Sequence, residues 1–145
     1  MIVPDLNLLL YAYNSTAPQH REACVWWESV LNGRELVGMP HEVMLGFIRI
    51  ATNPRLGQAT VPLTVAKQVV DVWQTAPVVR IILPQVDHTE KVIQLLERSQ
   101  SSGQLTSDAS LAVYAIENRA ILCSNDSDFA RFPGLDWTNP LNNRG

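Results

Sequence analysis

Short runs of β-branched and apolar residues alternate along this chain with longer stretches whose apolar positions recur every three or four residues. That alternation predicts an α/β fold on a mostly parallel sheet of four to five strands. Ile2-Val3-Pro4 reads as the first strand, and Leu6 to Tyr13 as a helix broken by Ser15-Thr16-Ala17-Pro18. Pro18 suits the first position of a second helix running to about Leu31, where Asn32-Gly33 stops it. Glu35 to Met39 reads as the second strand, and Pro40 opens a helix from His41 to about Thr52, ended by Asn53-Pro54. A helix over Thr64 to about Ala76, a third strand over Val78 to Leu83 and a helix over Asp87 to about Ser99 follow. Beyond the loop Ser101-Ser102-Gly103, Thr106 or Ser107 would cap a helix running to about Asn118. Ala120 to Ser124 is apolar enough for a central strand. Asp126 to Arg131 suggests a short helical turn, and Leu135-Asp136-Trp137 a last edge strand before a polar tail.

Composition narrows this picture. With 145 residues, 46 % of them hydrophobic and 17 % charged, the chain is expected to fold as one domain over 1–145. Two cysteines, Cys24 and Cys123, are too few for a disulfide framework, and no Cys/His metal spacing exists. No signal-like start and no run long enough for a membrane span are present, so a soluble, cytoplasmic protein is expected. Fourteen acids against eleven bases give a net charge of −3, which argues against a general nucleic-acid coat protein.

Most acids fit a solvated helix face, among them Glu22, Glu28, Glu90, Glu97 and Glu117. Others do not. Asp5 ends the first strand, where open parallel sheets bind ligands, although an Asp there also caps a helix. Asp108 falls within the apolar stripe of Leu105, Ala109, Ala112, Val113 and Ile116, although a first-turn role is equally open. Glu42 and Arg49 share a line with Gly46 on a helix otherwise apolar almost all round, which suggests a polar cavity that Gly46 lets another group approach closely, or an internal Glu42–Arg49 ion pair. Asp126 and Asp128 follow the fourth strand, in a segment that also reads as an ordinary Asn/Asp/Ser turn.

Several carboxylates converging would repel one another, and a hard divalent cation resolves the conflict. Mg²⁺ or Mn²⁺ prefers carboxylate oxygen and water. Such a site activates water for attack on a phosphate. His20, His41 and His88 show no ligand spacing and read as surface or packing residues. Gly-rich phosphate loops are absent, which leaves nucleotide or dinucleotide binding without support.

Four segments carry a resemblance over nearly the whole chain. They are Pro4-Asp5-Leu6-Asn7 with its Asp-x-Asn, the helix with Glu42 from Met39 to Pro54, the helix with Asp108 from Leu105 to Glu117, and Leu122 to Trp137 with Asp126. In these the chain resembles the PIN-domain ribonucleases, in particular the VapC toxins of bacterial type II toxin–antitoxin modules, and its ending resembles a mycobacterial-type subfamily. The resemblance implies an α/β/α sandwich, a homodimer and a Mg²⁺- or Mn²⁺-dependent endoribonuclease acting on tRNA or ribosomal RNA. It maps the family's acidic quartet onto Asp5, Glu42, Asp108 and Asp126, with Asp5, Asp108 and Asp126 holding metal. Asp128, Asn7 and Ser124 are accessory, Ser124 standing where the family ordinarily has Thr. It further implies a VapB-type antitoxin whose C-terminal segment covers the site. No helix-turn-helix occurs in this chain, so no direct DNA binding is expected.

Arg49 is a candidate phosphate or antitoxin contact, weighed equally against pairing with Glu42. Trp26 and Trp27, adjacent on one helix, must point in different directions, so one is expected to face a partner chain. A PIN-like module that only binds a partner or RNA is the alternative function. A haloacid-dehalogenase-type phosphatase would need an Asp where Asn7 stands. Without Asp5, Glu42, Asp108, Asp126 and Asp128, nine acids face eleven bases, a remainder of +2, so the acidity is that of one cluster in a slightly basic chain.

Overall fold

A computed structural model describes residues 1–142. Asn143-Arg144-Gly145, the end of the predicted polar tail, lies outside the described residues. Five strands form one sheet in the order β3-β2-β1-β4-β5: β1 (Ile2–Pro4), β2 (Val37–Pro40), β3 (Val79–Ile82), β4 (Ile121–Cys123) and β5 (Asp136–Thr138). Every neighbouring pair is parallel. All-parallel pairing needs a crossover between strands, and helices supply most of them: α1 (Leu6–Tyr13), α2 (His20–Leu31), α3 (His41–Ala51), α4 (Leu63–Thr75), α5 (His88–Arg98) and α6 (Thr106–Glu117). The helix α6 lies against β1, β2 and β4, with α5 packed on α6. The helix α1 packs on α2 and α3, and α3 on α4. This is the expected α/β/α sandwich.

β1 occupies the centre. Val3 is fully buried, and Pro4 and Pro40 stand at the ends of β1 and β2, where a missing N–H disturbs the ladder least. An aromatic cluster ties the helices of the α1–α4 group together. Phe47 and Trp73 stack edge-on with ring centroids 4.8 Å apart, Trp27 meets Trp73 at 6.1 Å, and the Trp73 indole N–H donates to the Tyr13 hydroxyl over 3.1 Å.

Several sequence expectations shift. The helix α2 starts at His20, because residues 15–19 form turns in which Ala17 N–H reaches Asn14 O. Neither Thr106 nor Ser107 caps α6. Leu105 is the cap residue, and Thr106 Oγ1 donates backwards to Gly103 O at 2.7 Å. That helix is buried on nearly every side from Ala109 to Ala115, so its apolar surface is wider than a stripe and Asp108 lies at its rim, half-exposed. Glu117 is not on a solvated face either: it receives Lys91 Nζ at 2.7 Å while largely covered. Trp27 is core, whereas Trp26 stays half-exposed in a shallow surface hollow with Arg21, Val25 and Pro140. Among the described residues, no helix is long and apolar enough to cross a membrane.

Candidate active site

The register of β1 and β4 builds half of the site. Pro4 pairs with Cys123, so the next residue on each strand, Asp5 and Ser124, emerge side by side at the carboxyl edge. Asp5 N–H donates to Cys123 O at 2.8 Å, which fastens the two strand ends together. Ser124 is completely buried and is the hub. Its hydroxyl donates to Asp5 Oδ2 at 2.6 Å and accepts from Asn7 Nδ2 at 3.3 Å and from Asp126 N–H at 3.0 Å. One hydrogen and two lone pairs are thereby all used. Trp137 on β5 donates its indole N–H to Ser124 O at 3.2 Å, so the edge strand braces the same residue.

The local roles of these acids are also real. Asp5 Oδ1 accepts from Leu6 N–H at 2.7 Å at the start of α1, and Asp126 Oδ1 accepts from Asp128 N–H at 2.9 Å at the start of a 3₁₀ turn over Ser127–Arg131. Capping and site function are compatible, because each carboxylate oxygen has a further lone pair beyond the bond it accepts here. Asp128 is half-exposed and pairs with Arg131 at 3.7 Å.

The other half comes from α3 and α6. A cleft of about 470 Å³ is lined by Asp5, Leu6, Glu42, Leu45, Gly46, Arg49, Ser107 and Asp108 among others. Glu42, Leu45 and Arg49 form its exposed strip, with Leu45 64 % exposed. The polar strip read on this helix therefore faces an open cleft, in place of the enclosed polar cavity or internal ion pair. No Glu42–Arg49 ion pair exists among the described residues, and Arg49 is the one base lining the cleft. Gly46 does permit a close approach, but to an apolar group: a Cβ there would stand 2.8 Å from Leu6 Cδ2. It lets α1 lie against α3, which brings Asp5 and Glu42 to one cleft.

Electrostatics confirm that the acids share a field. Burial, then the charges of Asp5, Asp126 and Asp128, push the Asp108 carboxyl up to about 6. Burial is also the main cause that raises Asp5, offset in part by its bonds from Ser124 and Leu6 and reinforced by Asp126. Glu42 stands apart from that cluster. It accepts from Ser110 Oγ at 3.2 Å, and burial, with the Glu42 carboxylate nearby, raises the Tyr114 hydroxyl to about 12.

Among the described residues, no three His, Cys, Asp or Glu side chains close on one point as a ready ligand set. The donors are nonetheless of one chemical kind. All are oxygens, the carboxylates repel one another, and the carbonyl oxygen of Asn7 is buried beside Ser124 with no partner. An all-oxygen, anionic set with an orphaned carbonyl suits a hard divalent cation and offers nothing to a soft one.

The comparisons with known proteins agree with the geometry. Residues 2–135 match the PIN domain family. The chain is 41 % identical over 141 residues to ribonuclease VapC33 of Mycobacterium tuberculosis, covering 97 % of this chain and 99 % of that one. This chain belongs to the PIN-domain VapC ribonucleases. Two solved VapC-type structures share the fold. VapBC2 from Rickettsia felis, bound to a promoter DNA fragment, superposes with a TM-score of 0.68 at 19 % identity, covering 96 % of this chain and 98 % of that one. Mycobacterium tuberculosis VapC20, described as a sarcin–ricin-loop-cleaving toxin, superposes with a TM-score of 0.68 at 18 % identity, covering 94 % and 99 %.

Reading the sequence missed Ser110, Tyr114 and His88. The first two lie on α6 two and six residues past Asp108, and their spacing of four places them on one helix face, which was the available signal. Only packing shows that α3 presents Glu42 to that face.

Proposed function

We propose that this VapC-family chain is a Mg²⁺- or Mn²⁺-dependent endoribonuclease and the toxin of a toxin–antitoxin pair. The observation that carries the reading is the Asp5–Ser124–Asp126 linkage at adjacent strand ends, with Asp108 close enough for its proton affinity to respond to both acids. Asp5, Asp108 and Asp126 would hold the cation, and Asn7 would orient a carboxylate or a water beside it. When bound, a divalent cation acidifies water and offsets charge developing on a phosphate. Glu42 stands at the cleft as the carboxylate that takes a proton from attacking water. Arg49, unpaired with Glu42, reaches toward a substrate phosphate.

The reading extends to partners. RNA is the substrate, with tRNA or ribosomal RNA favoured, and VapC20's action on a sarcin–ricin loop supports the latter class. A VapB-type antitoxin would present a basic residue to the acid cluster, and the VapBC2 structure of this fold supports an antitoxin partner. A homodimer and a cytoplasmic location complete it. The open arrangement of the acids is the one observation favouring a non-catalytic module instead.

Purified chain incubated with tRNA and ribosomal RNA tests the reading. Cleavage is expected with Mg²⁺ or Mn²⁺, none after chelation, and none with Asp5→Asn, which retains an acceptor for Leu6 N–H. Cleavage by Asp5→Asn at the wild-type rate contradicts the assignment. Failure of Mn²⁺ to bind wild-type protein supports the non-catalytic module.

A further inference from the structure

Glu42 is reached by more than the cleft. Behind it, at the junction of α3, α5 and α6, stands a short polar chain that the ribonuclease reading does not use. Ser110 Oγ donates to Glu42 Oε1 at 3.2 Å, and His88 Nε2 lies 2.8 Å from the same Ser110 oxygen. The His88 ring also packs on Tyr114, with centroids 4.6 Å apart. One imidazole thus supports the hydroxyl that holds this carboxylate and is itself seated on an aromatic ring.

Hydrogen counting fixes the direction of the chain. A serine hydroxyl has one hydrogen. Because Ser110 gives it to Glu42, the bond from His88 must run the other way, with Nε2–H donating. His88 Nδ1 is buried with no partner among the described residues, so a second ring proton there would be an unmade buried donor. The geometry therefore calls for the Nε2–H tautomer, which in turn stops Ser110 from rotating its hydrogen away from Glu42. The order differs from that of a nucleophilic serine, which gives its hydrogen to histidine. Here histidine donates to serine and serine to the acid, an arrangement suited to aiming a carboxylate and not to activating an alkoxide.

We infer that Ser110 is a positioning residue for Glu42, and that His88, through Ser110, fixes the direction in which that carboxylate is held. The inference rests on the reading of Glu42 as the proton-accepting carboxylate. Neither Ser110 nor His88 touches substrate. Both act through Glu42, as outer groups act on the ligands of a catalytic centre.

The test combines kinetics with nitrogen NMR on the full chain, with tRNA and ribosomal RNA as the substrate probes. Ser110→Ala is expected to lower kcat about 10–100-fold with KM unchanged, as loss of an outer supporting group does. Ser110→Thr, which keeps the hydroxyl, should recover most of that loss, an outcome that a purely space-filling role would not produce. Independently of activity, the ¹⁵N shifts of His88 should report the Nε2–H tautomer in the wild type and a mixture of tautomers in Ser110→Ala. An active wild type with an equally active Ser110→Ala overturns the positioning role alone, and so does an Nδ1–H tautomer in the wild type. A wild type that cuts neither RNA under any divalent cation while showing the Nε2–H tautomer overturns the ribonuclease reading, and Glu42's catalytic role with it.

Discussion

The two halves of the cleft are held by different means. On the strand side, Asp5, Asn7, Ser124 and Asp126 are fastened by backbone register and by a buried hydroxyl with every bond made. On the helix side, Glu42, Leu45 and Arg49 project from the exposed strip of α3, and Ser110 reaches across to hold one of them. The strand side is preorganised and resists change, as the proposed cation-holding role requires. The helix side is open and can admit an RNA strand. Perturbing the first should cost folding and activity together, and perturbing the second should cost activity alone.

Ser124→Ala should show the largest combined effect. It strands Asp5 Oδ2, Asn7 Nδ2 and Asp126 N–H around a fully buried position, a loss of about 1–3 kcal/mol of stability for unmade buried bonds. Cleavage should fall about 10–100-fold, as loss of a supporting bond to a ligand does. Ser124→Thr, which keeps the hydroxyl, should retain both properties if the hub role is right. Calorimetry and an RNA cleavage assay on the two variants read this directly.

The next effect is electrostatic. Asp108 has a folded-state pKa of about 6 against an ordinary 3.8, so between those values the folded chain binds more protons than the unfolded one. Stability must then fall as pH rises through that window. Cation-free protein should lose melting temperature across it, Asp108→Asn should flatten the slope, and added Mg²⁺ near neutral pH should restore the wild type more than the variant. A wild-type slope of the opposite sign would show that the acids are not crowded as described.

Arg49→Ala should be the mildest and confined to the open half. Arg49 has no ion pair among the described residues and stands exposed, so stability should change by less than about 0.5 kcal/mol. Removing one phosphate contact should raise KM and reduce the salt slope of RNA binding by about 0.7 for a single strand. Filter binding over a salt series separates that outcome from a change in kcat.

The same division explains what could be read from the sequence. Parallel strands project consecutive residues from one edge, so an acid directly after β1 and another shortly after β4 could be paired as soon as those strands were taken as neighbours. Apolar runs marked β1 to β4, while the edge strand β5 carries only Trp137 as a large apolar residue. The helix side depends on how α1, α3, α5 and α6 pack. Gly46 was legible as a point of close approach, but not that Leu6 fills it. Glu42 was legible as a misplaced acid, but its partners Ser110 and Tyr114 sit 68 and 72 positions away, and His88 on a third helix. Of the alternatives for Arg49, the pair with Glu42 does not form, because two helical turns separate the two and both side chains have solvent to occupy.

Mapping new 5′ ends in cellular RNA after induction of the wild type, with Asp5→Asn as control, tests the central claim most directly. The account predicts a small set of discrete cuts in tRNA or ribosomal RNA that disappear entirely with Asp5→Asn. The same cuts appearing with both proteins, or none with the wild type above background, would contradict the assignment of the acid cluster as a ribonuclease centre.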